Sequence, residues 1–355
     1  MNAKAQGKTA IVLVNWNGWR DSIACIRSCL TLRDAPFRII LCDNASADGS
    51  VDHILSWARG EVPAETDPHS PVPLTDALPK GVALLDRAAA EAGDDGGDAQ
   101  LIVVPTGGNL GFAGGNNVGL RWAMARDFDY MWLLNNDTVV PPDALSTLIA
   151  HHDAGDGKLG PCGSVLLEYE DPAHVQALAG AMNMRNAQGR HLGVGLNAGE
   201  LSPIGDVAKL PGVGAQDLVY PVGASMLVSR AFVDQVGLME ESYFLYYEEA
   251  DWVCRARGRF TPAIAATSHV YHRHGASAGS TSDGRSVGSV SFLYRSRLLF
   301  ARRFIGKRPL SVIISMADEA ARALARGRTA KLRAMTRAIR GKVSVPYAGR
   351  TSSFI

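Results

Sequence analysis

Four short apolar runs constrain this chain more than anything else in it. TAIVLV (9–14), FRIILC (37–42), QLIVV (100–104) and YMWLL (130–134) read as strands, and DSIACIRSCLTL (21–32) and NNVGLRWAMARD (116–127) have helical periodicity between them. Strand and helix alternating at this spacing require parallel strands joined by right-handed crossovers, with helices covering the sheet. The expected class is α/β with a mostly parallel central sheet. At 46% apolar and 20% charged residues over 355 positions, the chain is globular and long enough for an ample core.

A second helix is expected from about Val51. Residues 60–99, rich in Pro, Ala, Gly and Asp, then read as a surface insertion with one helix near 81–92. After residue 150 the pattern loosens. AQDLVYPVGASMLVSR (215–230) predicts a strand returning to the sheet, followed by a short helix. EEADWVCRARG (248–258) is a helix that opens on acids and stops at Gly258, and TPAIAATSHVYHRHG (261–275) is a further strand or pair. From Val290 two helices are expected, VSFLYRSRLLFARRFIG and a basic one at about 318–341. The organisation anticipated is a domain over 1–290 and a basic helical extension over 291–355.

The net charge of +1 conceals an asymmetry, because Arg295 to Arg350 holds fifteen Lys or Arg against Asp318 and Glu319 alone. Such a tail calls for an anionic partner. Aromatic residues for stacking on bases are scarce in it, which argues against nucleic acid. Leu324, Leu332, Met335 and Ile339 fall at helical spacing and suggest a helix lying on an anionic membrane surface. No apolar run approaches the roughly 18 to 20 residues of a membrane span, and the first residues lack a signal-peptide core. The five cysteines form no C-x-x-C pair and are odd in number, so a cytoplasmic setting without a disulfide framework is expected.

Each early strand ends on polar residues: Asn15-Trp16-Asn17, Asp43-Asn44, Gly107-Gly108-Asn109 and Asn135-Asn136-Asp137. One such end is turn chemistry. Four in succession on the carboxyl edge of a parallel sheet form the floor of a ligand site. TGGNLGFAGGNNVG (106–119) holds six glycines in fourteen residues and opens a helix. Its glycines either let backbone amides approach an anion or pack loop tightly on helix. The spacing is neither the dinucleotide fingerprint nor the P-loop, so hydride transfer and P-loop hydrolysis lose their main support.

VNWNG, CDNASADGSV, GGNLGFAGGNNVGL, LLNNDT, GASMLVSRAFVDQVG, YFLYYEEADW and VYHRHGAS occur here in the order seen in family-2 glycosyltransferases, and the chain resembles their bacterial rhamnosyltransferase-like branch over about residues 9–300. The resemblance implies a GT-A nucleotide-diphospho-sugar fold. It also implies inverting transfer from a nucleoside-diphosphate sugar, first of all dTDP-rhamnose, to a hydroxyl of a glycan or lipid-linked glycan in cell-surface polysaccharide synthesis. By the same resemblance Asn15, Asn17, Asp43, Asn44, Asn109, Gly111, Phe112, Asn116, Asn135 and Asn136 line the donor site. Asp137 and His272 hold Mg²⁺ or Mn²⁺, and Glu249 is the base with Asp251 in reserve. Gly223, Ala224, Trp252, Arg295 and Arg297 face the acceptor.

Two positions depart from the family pattern: Asn135 stands where D-x-D begins with a carboxylate, and Glu249 replaces the usual Asp. These departures keep alive a non-catalytic sugar-nucleotide-binding reading. A sugar nucleotidyltransferase fits less well, because the loop after the first strand, NWNGWR, has a single Arg for a triphosphate. Whether the insertion covers the donor or mediates homodimer contacts is open at this level.

Overall fold

The computed structural model of the protein describes residues 7–201, 204, 206–273, 287–306, 309–341 and 343. The expected alternation opens the chain: β1 (Thr9–Asn15), α1 (Trp19–Cys29), β2 (Phe37–Asp43), α2 (Ser50–Ala58), β3 (Val82–Leu84), α3 (Arg87–Glu91), β4 (Leu101–Pro105), α4 (Gly111–Ala125) and β5 (Tyr130–Asn135). Then follow β6 (Thr138–Val139), α5 (Ala144–Asp153), β7 (Leu159–Glu168), β8 (Val175–Ala177), β9 (Ala179–Asn183), β10 (Gln188–Leu192), β11 (Asp217–Tyr220), β12 (Ser225–Ser229), α6 (Arg230–Val236), α7 (Glu248–Ala256) and β13 (Thr261–His272). Three helices complete the described chain, α8 (Val287–Phe304), α9 (Leu310–Ala325) and α10 (Thr329–Ile339).

The main sheet runs β3-β4-β2-β1-β5-β12-β7-β13-β6, with β8 pairing off β7, and a small second sheet has the order β10-β9-β11. Strands β3 to β5 are mutually parallel, β12 enters antiparallel between β5 and β7, and β13 runs parallel to β7. The period-2 alternation of each strand splits the core into two layers. Ile11, Leu13, Ile39, Leu41 and Trp132 pack under α1, α2 and α5, whereas Val12, Ile40, Met131 and Leu133 pack under α4. Burying each such side chain stabilises the fold by about 1.5–3 kcal/mol.

Three expectations need correction. The insertion carries a strand as well as a helix. β3 extends the sheet edge beside β4, and α3 begins only at Arg87, where the Asp86 carboxylate accepts from the Ala89 amide. The run 215–230 is two strands rather than one, and β11 joins the small sheet. The basic helix at 318–341 is broken at Gly327, whose φ is +64°, so that α9 and α10 are separate. The apolar stripe shifts accordingly: Met335 is buried against α8 and its neighbours and Leu332 is half-buried. Leu324 and Ile339 of that stripe are exposed, as are Leu310, Ile313 and Ile314 of α9, all between 51% and 69%. No described helix is long and apolar enough to cross a membrane, and all five cysteines are free and buried.

Candidate active site

Parallel register brings the polar strand ends together, with Asn15 opposite Asp43 across β1–β2 and Val14 opposite Asn135 across β1–β5. At the β1–β2 end the side chains bind one another. Asn15 donates to Asp43 Oδ1 (2.7 Å) and to Ser46 Oγ (3.0 Å), and Ser46 donates its hydroxyl (2.6 Å) and its amide (3.0 Å) to the same carboxylate. Asn15 Oδ1 in turn accepts from Ser22 (2.9 Å) and Asn136 (3.2 Å). Asn136 also donates to Ser22 Oγ at 2.9 Å. Asn17, at φ +54°, accepts the Ala47 amide at 2.7 Å and shapes the loop beyond.

The glycine-rich loop departs from the expectation of free helix-terminal amides. The Gly111 amide donates to Asn109 Oδ1 (3.0 Å) and the Phe112 amide to the Phe244 carbonyl (2.8 Å), so both are occupied by the protein itself. Gly111, at φ +72°, is needed because a Cβ there would lie 2.1 Å from that carbonyl. Asn44 donates to the Gly111 carbonyl (2.9 Å), and Asn116 is buried and donates to Phe112 within α4 (2.9 Å). Asn109, Asn44 and Asn116 therefore hold the loop, and of this group Asn109 and Phe112 are partly exposed.

The β5–β13 end is built differently. Asp137 is 5% exposed and its Oδ1 lies 3.2 Å from His272 Nε2, yet that oxygen has no hydrogen bond of good geometry. Asn135 Nδ2 is 3.3 Å from the same His272 nitrogen. The insertion reaches this end: Arg273 pairs with Asp21 (2.7 Å) and with Asp67, which also accepts from Tyr169 (2.6 Å). The Arg273 amide donates to the Asp137 carbonyl at 3.0 Å. Among the described residues no group of three or more His, Cys, Asp or Glu could hold a metal. The pair Asp137 and His272 still fits a hard divalent cation that takes most of its ligands from a diphosphate and water, because the orphaned carboxylate oxygen is left facing an imidazole nitrogen. The end of the motif VYHRHGAS, including His274, lies outside the described residues.

Glu249 stands at the start of α7, partly exposed, with Oε1 accepting from the Gly223 amide at 3.1 Å. Burial raises its pKa above the ordinary glutamate value, against the opposing effect of its backbone hydrogen bonds. A Cβ on Gly223 would meet Glu249 Oε1 at 2.6 Å and the Phe112 ring at 2.9 Å, so these three residues converge on one point. Ala224 is buried, and its carbonyl accepts from the Asn135 amide at 3.0 Å. Contacts thus run without a break from Glu249 through Gly223, Ala224 and Asn135 to His272 and Asp137.

The remaining assignments are corrected by burial. Asp251 is fully buried and already accepts from Tyr243 (2.9 Å) and Arg255 (2.6 Å). Trp252 is not a sugar platform, since its ring lies in the core edge-on to Phe232 and its indole donates to the Gly237 carbonyl at 2.8 Å. Arg297, 3% exposed, is bound to Glu319, Ser315 and the Asn186 carbonyl, and so is closed to an acceptor. Arg295 donates to the Ser242 carbonyl at 2.6 Å, while Ser296 donates to those of Tyr243 and Leu245. Together they brace a strap in which Phe244, Tyr246 and Tyr247 all have positive φ. Three such non-glycine residues cost of order 1–3 kcal/mol each and are found where function over-determines the backbone. Ser22, Ser46, Gln176 and Arg273 also join the site: Ser46 and Arg273 lie within CDNASADGSV and VYHRHGAS but carried no role there, and Ser22 and Gln176 lie in no motif.

Residues 82–181 match the family described as glycosyl transferase family 2. Over 160 residues the chain is 26% identical to the low-salt glycan biosynthesis hexosyltransferase Agl10 of Haloferax volcanii, covering 43% of this chain and 45% of that protein. It therefore spans less than half the length of the curated relative it matches. Among solved structures it resembles GalNAc-T7, crystallised with UDP, GalNAc and Mn²⁺, at a TM-score of 0.54 and 14% identity over 87% of this chain and 52% of that one. S. aureus TarS 1–349 superposes with a TM-score of 0.45 and 9% identity, over 83% and 65% of the two chains. Residues 82–181 thus carry the glycosyl transferase family 2 match, and the fold is the α/β type of the GT-A enzymes.

Proposed function

We propose that this protein is an inverting hexosyltransferase that moves a sugar from a nucleoside diphosphate to a hydroxyl of a glycan or lipid-linked glycan. The observation that carries the reading is the contact path linking Glu249 to Asp137, which joins a candidate base to a candidate diphosphate anchor. An acceptor hydroxyl gives its proton to Glu249 as its oxygen attacks the anomeric carbon, and the bond to the diphosphate breaks on the opposite face. Burial raises the Glu249 pKa above the ordinary glutamate value, which makes its carboxylate a stronger base for that proton. Asp137 and His272 would hold Mg²⁺ or Mn²⁺, which supplies Lewis-acid stabilisation of the departing oxygens. Phe112 and Gly223 form the wall beside Glu249, and Asn15, Asp43 and Asn136 hold the floor rigid beneath the nucleotide.

Residues 291–355 act in this reading as an extension of the domain over 1–290. Leu310, Ile313, Ile314 and Leu324 on one face of α9, with Arg322, Arg326 and Arg328 at its end, support seating on the anionic inner face of the plasma membrane. Each basic residue near such a surface contributes about 1 kcal/mol. The first donor to test is dTDP-rhamnose, by resemblance to the rhamnosyl branch.

The test is a thermal-shift panel of UDP, dTDP, GDP and CMP with and without Mn²⁺, followed by turnover of the matching sugar nucleotides. A ligand at a hundred times its Kd stabilises by about 2.7 kcal/mol. A metal-enhanced shift with one diphosphate, and product of inverted anomeric configuration, is expected. Binding without turnover of any donor would replace this reading by the non-catalytic one.

A further inference from the structure

The hydrogen bonds behind His272 specify which of its two nitrogens carries the proton. His272 ends β13, Gln176 is the middle residue of the three-residue strand β8, and Glu168 ends β7. Gln176 is 4% exposed. Its Nε2 donates to Glu168 Oε2 (3.1 Å) and to the His272 backbone carbonyl (3.0 Å). Both partners only accept, so the NH₂ end of the amide must face them. The amide oxygen is thereby turned toward His272 Nδ1, 2.6 Å away. An amide oxygen cannot donate, and so Nδ1 must carry the hydrogen.

In a neutral imidazole this leaves Nε2 with a bare lone pair. On that side lie Asn135 Nδ2 at 3.3 Å and Asp137 Oδ1 at 3.2 Å. The Asn135 amide can donate to a bare Nε2, which agrees with the same tautomer. Asp137 Oδ1 cannot donate, and it is buried without a hydrogen bond of its own. Two electron-rich atoms thus face each other, an arrangement a cation between them would relieve.

We propose that Gln176, oriented by Glu168, is a positioning residue that fixes His272 as its Nδ1–H tautomer and aims the Nε2 lone pair, together with Asp137, at a divalent cation. The inference rests on the metal-assisted reading above and adds residues that nothing in the family pattern marks. Partners of this kind behind a metal-binding histidine change metal affinity by about 10- to 100-fold when removed.

Two measurements on the full chain test it. The first is the long-range ¹H–¹⁵N spectrum of ring-labelled histidine in metal-free protein at pH 8, with the His272 signals assigned from His272→Gln. The second is Mn²⁺ titration followed by electron paramagnetic resonance in the presence of dTDP or UDP, whichever binds. Wild type should show His272 protonated on Nδ1. Gln176→Met, which keeps the volume but removes the acceptor, should shift His272 toward the Nε2–H form and weaken Mn²⁺ by about 10- to 100-fold. The swap Glu168→Gln with Gln176→Glu keeps an acceptor for Nδ1 and a donor–acceptor pair between the two side chains, and should restore both within a few-fold, which separates the effect from loss of folding. An Nε2–H tautomer in wild type overturns the inference. So does wild-type Mn²⁺ uptake that Gln176→Met leaves unchanged. A wild type that takes up no Mn²⁺ with either nucleotide overturns the metal-assisted reading along with it.

Discussion

At the β1–β2 end of the sheet edge, Asn15, Asp43, Asn44 and Asn136 are all buried and bound to neighbouring protein groups. At the β5–β13 end, Asp137 Oδ1 is buried with no hydrogen bond. The strand ends look alike in sequence, yet one set is closed upon itself and the other waits for something. A buried polar atom left unpaired costs about 1–3 kcal/mol, which a fold tolerates where a ligand completes the group. Polarity at a strand end therefore does not by itself separate a residue held by the fold from one left open to a ligand.

The sharpest way to break this comparison is Glu249→Gln. Loss of the base should lower kcat by about 10²- to 10⁴-fold while nucleotide affinity, measured by calorimetry, stays within a few-fold. In wild type a base must be ionised, so the rate should fall as pH falls through its pKa. Because burial raises that pKa, the acidic limb of the kcat profile should lie above the ordinary glutamate value of about 4.3. An acidic limb at or below that value would remove Glu249 from the role.

Next comes Gly223→Ala. The new Cβ would press on Glu249 Oε1 from 2.6 Å, and displacing a reacting group by an ångström can cost about 10²-fold. The loss should appear in kcat with little change in the melting temperature. Asp137→Ala should abolish the metal-dependent part of nucleotide binding, a loss of about tenfold or more by analogy with altered metal sites, and leave metal-free binding alone.

The closed end should answer in stability instead. Asn15→Leu removes the partner that Asp43, Ser22 and Asn136 share, and denaturant unfolding should show a loss of about 1–3 kcal/mol whether or not nucleotide is present. The smallest effect is expected from Glu248→Gln. Burial, and then the charge of Glu249, raise the Glu248 pKa well above its usual value. A carboxyl so raised contributes stability that is full below the unfolded-state pKa and is lost as pH rises through the folded-state one. The variant should therefore gain on wild type in thermal melts as pH increases, and show no advantage under acidic conditions.

The parallel half of the sheet and its active edge were legible because strand period and strand-end polarity are local signals, and parallel register converts them into neighbours. Asn15, Asp43, Asn135 and Asp137 could be placed on one edge from the sequence for that reason. Asp251 and Trp252 could not be separated from Glu249 in the same way, because which side of α7 faces the core depends on strands far off in the chain. Arg297, expected to face the acceptor, is neutralised inside the fold by Glu319 of α9. The glycine-rich loop suggested free amides, yet Asn109 takes that of Gly111, and the Phe244 carbonyl, more than a hundred residues away, takes that of Phe112. Gln176 gave no signal, since a three-residue strand has too little pattern to be read.

The position of β12 has a consequence for synthesis. Residues 225–229 lie between β5 and β7, strands that leave the ribosome much earlier. Until that segment emerges, both carry bare backbone on the sides that will later be joined, and such edges readily pair with other chains. Late, long-range pairings of this sort are also slow to form. A chain cut short before Ser225 should thus aggregate although it contains the whole parallel half of the sheet, and a chaperone acting during translation would find its task in that interval.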